Sequence, residues 1–232
     1  MGFLKKINRF LNSPTSSEKR YEEFLRKNGM EIGENPRFYE PKTLHLDVSK
    51  SMYIKLGDNV QITRGVIILA HDWSYSVLNE LYGELPKKQE RTIIGNNVFI
   101  GMNSIILMGR EIGDNVIIGA GSVVSGKIPS NTVWSGNPAH QIMSLETYYI
   151  NRKKKFIESA KLQAKIIYKT KNRYPKKEEM DYFQVLFLER TKENEAYLKN
   201  SLPKSPQKFM QTKIEFSSFE EFLNSIDFSS EL

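Results

Sequence analysis

Large aliphatic side chains recur every six residues through the middle of the chain. Leu56, Ile62 and Ile68 form one run, and Ile94, Ile100, Ile106, Ile112, Ile118 and Val124 resume the spacing after an interruption. A helix at 3.6 residues per turn would scatter these positions around its circumference, whereas an even spacing in extended chain keeps them on one face. The pattern therefore predicts short strands. Three residues beyond each aliphatic stand Asn59, Gly65, His71, Asn97, Asn103, Gly109, Asn115, Gly121 and Lys127. Asn and Gly enter positive φ at low steric cost, so this column predicts a turn. Gly57, Gly95, Gly101, Gly113 and Gly119 directly follow their aliphatics, where a small residue lets the chain bend tightly. One strand and one corner per hexad predicts a coil whose strands stack on those a full turn earlier, and three hexads per coil give a triangular prism.

The segment IGNNVFIGMNSIILMGREIGDNVIIGAGSVVSGKIPSNTVWSGNPA at 94–139 resembles the hexapeptide-repeat acyltransferases, and the likeness extends over residues 44–142. That resemblance implies a mainly β chain built on a left-handed parallel β-helix, assembled as a homotrimer, with acetyl-CoA as co-substrate. The expected organisation is an N-terminal helical segment over 1–43, the β-helix acetyltransferase domain over 44–142 with an excursion at 73–93, and a C-terminal helical extension over 143–232. In appearance the chain is most similar to sugar O-acetyltransferases of surface polysaccharides. The expected reaction is acetylation of a sugar hydroxyl in a capsular or lipopolysaccharide glycan or its precursor. N-acetylation of an amino sugar and a non-catalytic scaffold remain open as alternatives.

A regular prism is a scaffold, so chemistry is expected where the pattern breaks. The hexads at Ile68, Ile106 and Val124 carry Leu69, Leu107 and Ser125 where most others have Gly, and their corners are His71, Gly109 and Lys127. If the excursion adds no strand, these three hexads stack on one side. A neutral imidazole can take the proton of an attacking hydroxyl near neutral pH. The resemblance implies that role for the histidine just before the excursion, which is His71; on its residue pattern alone, tolerance of a corner conformation is the readier explanation. Asp72 and Arg110 share the next slot, whose side chain should point inward, and buried lone charges are costly. They are therefore expected either to pair, with Asp72 serving the catalytic site and Arg110 supporting it, or to turn outward to solvent.

In the excursion, WSYSVLNELYGELPKKQERT, the aromatic faces of Trp73, Tyr75 and Tyr82 suit stacking on an acceptor sugar or packing onto a neighbouring subunit. The resemblance implies that the pantetheine arm of acetyl-CoA runs between adjacent prisms, lined by Gly101, Gly119, Ala120 and Ser125. Lys127 is then the candidate for a phosphate contact, and His140 stands where relatives carry a basic residue after GNPA. Each glycine also serves its own corner.

Composition narrows the chemistry. The 232 residues contain no cysteine, which excludes a thiol nucleophile, disulfides and zinc-thiolate sites, and makes direct attack on the thioester the expected route. His45 and His140 show no paired spacing with His71, so no metal is expected. The first twelve residues have no apolar run long enough for a secretory signal and no stretch reaches membrane-spanning length, so neither is expected and the expected location is the cytoplasm. The net charge of +7 favours anionic partners. Much of it lies in NRKKKFIESAKLQAKIIYKTKNRYPKK at 151–177, a helical stretch ended by Pro175 whose basic side suits solvent or a polyanion. It carries no nucleic-acid module, and no nucleic acid is expected. Its Phe156, Ala160 and Ile167 are expected to face the prism. Phe3, Leu4, Ile7, Phe10 and Leu11, flanked by Lys5, Lys6 and Arg9, suit either peripheral contact with an anionic membrane or docking on the chain's own domain. A helix is signalled between Thr15–Glu18 and Gly29, a second C-terminal helical stretch after Pro175, and loose attachment for 201–232.

Overall fold

The structure, a computed structural model, describes residues 13–194 and 206–229; the amphipathic stretch at 3–11 lies outside them. The chain forms two compact units, Met1–Tyr148 and Tyr149–Leu232.

The first unit is a three-sided prism of parallel strands. Its first coil is β1 (Glu31–Ile32), β2 (Arg37–Phe38) and β3 (His45–Leu46); the second is β4 (Ile54–Leu56), β5 (Gln61–Ile62) and β6 (Ile67–Ile68). The third is β7 (Thr92–Ile94), β8 (Phe99–Ile100) and β9 (Ile105–Ile106), and the fourth is β10 (Glu111–Ile112), β11 (Ile117–Ile118) and β12 (Val123–Val124). The faces run β1-β4-β7-β10, β2-β5-β8-β11 and β3-β6-β9-β12, and β13 (Thr132–Ser135) extends the second face before pairing antiparallel with β14 (His140–Ser144). Because β4 pairs directly with β7, the excursion adds no strand, and the hexads at Ile68, Ile106 and Val124 do stack. The prism begins at Glu31, ahead of residue 44. The first coil escaped the repeat because a 3-10 turn at Pro41–Thr43 delays Leu46 beyond the six-residue spacing set by Ile32 and Phe38.

The nine aliphatics that define the repeat are each at most 2% exposed. Burying a side chain of this size contributes roughly 1.5–3 kcal/mol. One corner column shows why the intervening residues are what they are. Asn35, Asn59, Asn97, Asn115 and Asn131 all have φ between 52° and 62°. Asn97 Nδ2 donates to Asn115 Oδ1 (2.9 Å), and Asn115 Nδ2 donates to Asn131 Oδ1 (3.0 Å). The side chain thus satisfies a neighbour at the same place where its backbone must be left-handed. Gly95 beside it is fixed by close approach: a Cβ there would meet Gly113 backbone at 2.8 Å. His71 and Lys127 depart from this column, since neither has positive φ.

A helix at Glu18–Lys27 precedes the prism, capped by Ser17 rather than Thr15, because the Pro14–Ser16 turn displaces the start; it stops at Gly29, φ 92°. Its Tyr21 packs edge-on against Phe38, ring centroids 5.4 Å apart.

The helix Leu145–Lys171, most of which belongs to the second unit, is followed there by a 3-10 segment, Lys177–Leu186, where a second helical stretch is expected from the sequence. Asp181, at φ 43°, breaks that segment. Ala160, Ala164, Met180, Phe187, Phe222 and Ile226 form a core with Phe156 against it. Phe156 and Ala160 thus pack within this core. Phe222 and Ile226 also correct the expected loose attachment for the described part of 201–232, since the helix Phe219–Asn224, capped by Ser218, is anchored by buried Phe222.

Candidate active site

His71 follows β6, where Leu69 N–H still donates to Ile106 carbonyl (3.0 Å) and Ala70 is fully buried. The returning limb of the excursion clamps it: His71 bridges antiparallel to Gln89, and Glu90 N–H donates to Ala70 carbonyl (3.0 Å). The side chain is 22% exposed, so the ring is held without being sealed from solvent.

Its Nδ1 is hydrogen-bonded to Asp47 Oδ2. Asp47 comes from the turn after β3, one coil below, and is 5% exposed. Burial pushes its carboxyl up. Hydrogen bonds from Ser49 Oγ (2.7 Å to Oδ1), from His71 and from Ala70 N–H (3.2 Å to Oδ2), with the attraction of the imidazole, outweigh burial and hold the group below the ordinary carboxylate range. An ionised carboxylate only accepts. Nδ1 therefore carries a proton, so that in the neutral ring Nε2 holds the lone pair, and Trp73 Nε1–H is placed to donate to that Nε2 at 3.0 Å. The arrangement fixes the tautomer in which Nε2 can act as a base.

Tyr21, Phe24, His45, Asp47, His71 and Trp73 line one pocket of about 500 Å³. Burial pushes the Tyr21 hydroxyl up to about 12, partly offset by a hydrogen bond with the Leu46 backbone. It therefore stays a neutral phenol on the pocket wall. Sequence reasoning missed Asp47 and set His45 aside as remote. The register His45↔Ile67 puts both beside the strand that carries His71.

The expected Asp72–Arg110 pair does not form. Asp72 turns outward, its Oδ1 accepting from Ser74 N–H (2.9 Å) and Ser74 Oγ (2.7 Å), which hold its carboxyl below the usual range. Arg110 donates to the carbonyls of Met108 (2.9 Å) and Ser125 (2.6 Å) and lies 3.7 Å from Glu90. Backbone carbonyls satisfy the guanidinium without burying a second charge.

Of the aromatics, Trp73 and Tyr75 stack, with centroids 5.7 Å apart, and Tyr82 is exposed at the far end of the helix Tyr75–Tyr82. Of these three excursion aromatics, Trp73 alone lines the pocket with His71. The residues expected along the donor fall in two places. Gly101 lies over Gly119 and Ala120, Gly119 meets Ser135, and Ser135 is the register partner of His140. Ser125 and Lys127 follow β12 instead, and Lys127 is ion-paired with Glu111.

Residues 91–126 match the family model described as bacterial transferase hexapeptide (six repeats). The chain is similar to protein CapG of Staphylococcus aureus, 38% identical over 66% of this chain and 86% of that protein. It is also similar to galactoside O-acetyltransferase of Escherichia coli (strain K12), 32% identical over 57% of this chain and 71% of that protein. Among solved structures it resembles a maltose O-acetyltransferase from Clostridium difficile 630, with 33% identity, TM-score 0.42, and 61% of this chain and 84% of that chain covered.

Proposed function

Since the chain belongs to the bacterial hexapeptide-repeat transferases, with the left-handed β-helix of that family, we propose that it transfers acetyl from acetyl-CoA to a sugar hydroxyl, with His71 as general base. The observation that carries this reading is the Asp47–His71 pair, whose two residues line a pocket of about 500 Å³. The acceptor hydroxyl gives its proton to Nε2 as its oxygen attacks the thioester carbonyl. The C–S bond then breaks, and the imidazolium returns the proton to the departing sulfur. Asp47 stabilises the imidazolium and keeps the ring in register. With no cysteine in the chain, attack is direct.

The Gly101–Gly119–Ala120 corner, with His140 beside it, is assigned to the pantetheine arm, because small side chains let a ligand approach backbone groups. Ser125 and Lys127 are assigned to the remote end of the donor. Exposed Phe99 and Met102 on the prism support a homotrimer of side-by-side prisms. The donor is a cytoplasmic metabolite, which supports a cytoplasmic reaction. Similarity to a galactoside O-acetyltransferase supports a sugar acceptor, and the chain's resemblance in appearance to surface-polysaccharide O-acetyltransferases directs the choice toward glycans of that class.

The test incubates the full chain with acetyl-CoA and a panel of neutral hexosides and amino sugars. The expected product is an alkali-labile acetyl ester on a neutral sugar. An alkali-stable amide on amino sugars alone would overturn O-acetylation, and absence of any acetylated product would favour the scaffold reading.

A further inference from the structure

The atom that must accept the substrate proton already has a donor. Trp73 Nε1–H sits 3.0 Å from His71 Nε2, on the line a substrate hydroxyl would use. We propose that Trp73 guards the base: its indole N–H caps Nε2 until an acceptor hydroxyl displaces it, so that water is not activated against waiting acetyl-CoA. The inference rests on His71 being the base.

The two rings are held very differently. His71 is fixed from behind by Asp47 and clamped along its backbone by Gln89 and Glu90. Trp73 is 68% exposed, and its ring is held by the stack on Tyr75 and by the bond to Nε2. Swinging it outward therefore costs little packing. Asp72 supplies the aim: by accepting from both the N–H and the hydroxyl of Ser74, its carboxylate tightens the turn at the root of the excursion and folds Trp73 back toward His71. That gives a purpose to an acidic residue that the prism does not bury.

The guarded reaction is hydrolysis. Water would lose a proton to Nε2, its oxygen would bond to the acetyl carbon, the C–S bond would break, and the imidazolium would protonate the sulfur, giving acetate and free CoA. A pocket open to solvent invites this whenever donor is bound before acceptor. A neutral indole N–H is too weak an acid to be used up by the base, yet it satisfies the lone pair. A sugar can replace it, offering a hydroxyl to Nε2 and a C–H face to the displaced ring, whereas water offers no such face.

The experiment measures CoA thiol released from acetyl-CoA alone, with no acceptor, by the full-length wild type, Trp73→Phe, His71→Ala and the double variant. Phenylalanine keeps an aromatic ring for Tyr75, though a smaller one, and removes the donor. Acceptor-free release by Trp73→Phe is expected to rise about fivefold, the worth of one ordinary hydrogen bond. In the double variant it is expected to fall back to the wild-type level or below. Unchanged release by Trp73→Phe, or a rise that survives in the double variant, overturns the guard. The two readings separate in a parallel transfer assay with the best acceptor of the sugar panel. If His71→Ala transfers normally, the base assignment falls and the guard with it. If His71→Ala is inactive while Trp73→Phe hydrolyses no faster than wild type, the guard alone falls.

Discussion

At the scale of single residues, the proposed site is one imidazole given its direction by a buried carboxylate. His71 stands out in the sequence because it interrupts a column of Asn and Gly just before the repeat breaks, and its φ is not left-handed, so a left-handed corner does not account for it. Asp47 was not legible. It lies in a coil whose spacing is disturbed by the Pro41–Thr43 turn, and it reaches His71 only through the stacking of β3 on β6. Asp72 was chosen in its place because adjacency in sequence is visible and adjacency between coils is not. Replacing Asp47 by Asn removes the charge that stabilises the imidazolium, and the expected loss in kcat is on the order of 100-fold. The pH dependence has a definite sign. A carboxyl held below its unfolded pKa stabilises the fold above about pH 4, and that contribution is lost as pH falls through the lower folded value. Chemical denaturation of wild type and Asp47→Asn should therefore give a stability gap at pH 7 that closes toward pH 3. A gap that widens on acidification contradicts the assignment.

Strands and corners were the most readable elements, because each obeys a rule that one hexad states in full. The Asn ladder joins two such rules, a left-handed backbone and a bond to the next coil. Asn97→Ala loses the bond and strains φ 53°, for an expected cost of about 1–3 kcal/mol; Asn97→Gly relieves the strain and should recover part of it. Equal destabilisation of the two in urea titrations would mean that the backbone conformation contributes nothing. The second unit was harder to read, since its core comes from Phe156, Met180, Phe187 and Phe222, which follow no single period and meet across a kinked 3-10 segment. Hydrophobic periodicity finds elements that bury one regular face, and this unit has few of them.

For the molecule as a whole, every residue of the proposed acid–base site belongs to the first unit, while the second has its own core. The rigid prism explains how a chain with two-residue strands can hold a reacting group in place: each coil is bonded above and below, so His71 inherits the order of the stack. Among the described residues no helix is long and apolar enough to cross a membrane. The proposed chemistry depends on the imidazole at the edge of this stack. The most direct measurement is kcat for acetyl transfer from acetyl-CoA to a sugar hydroxyl by the His71→Ala variant, made alongside its thermal midpoint and its mass in solution. A fall in kcat of about 10²–10⁴-fold with midpoint and mass unchanged is the predicted result, and turnover close to that of the wild type would contradict it.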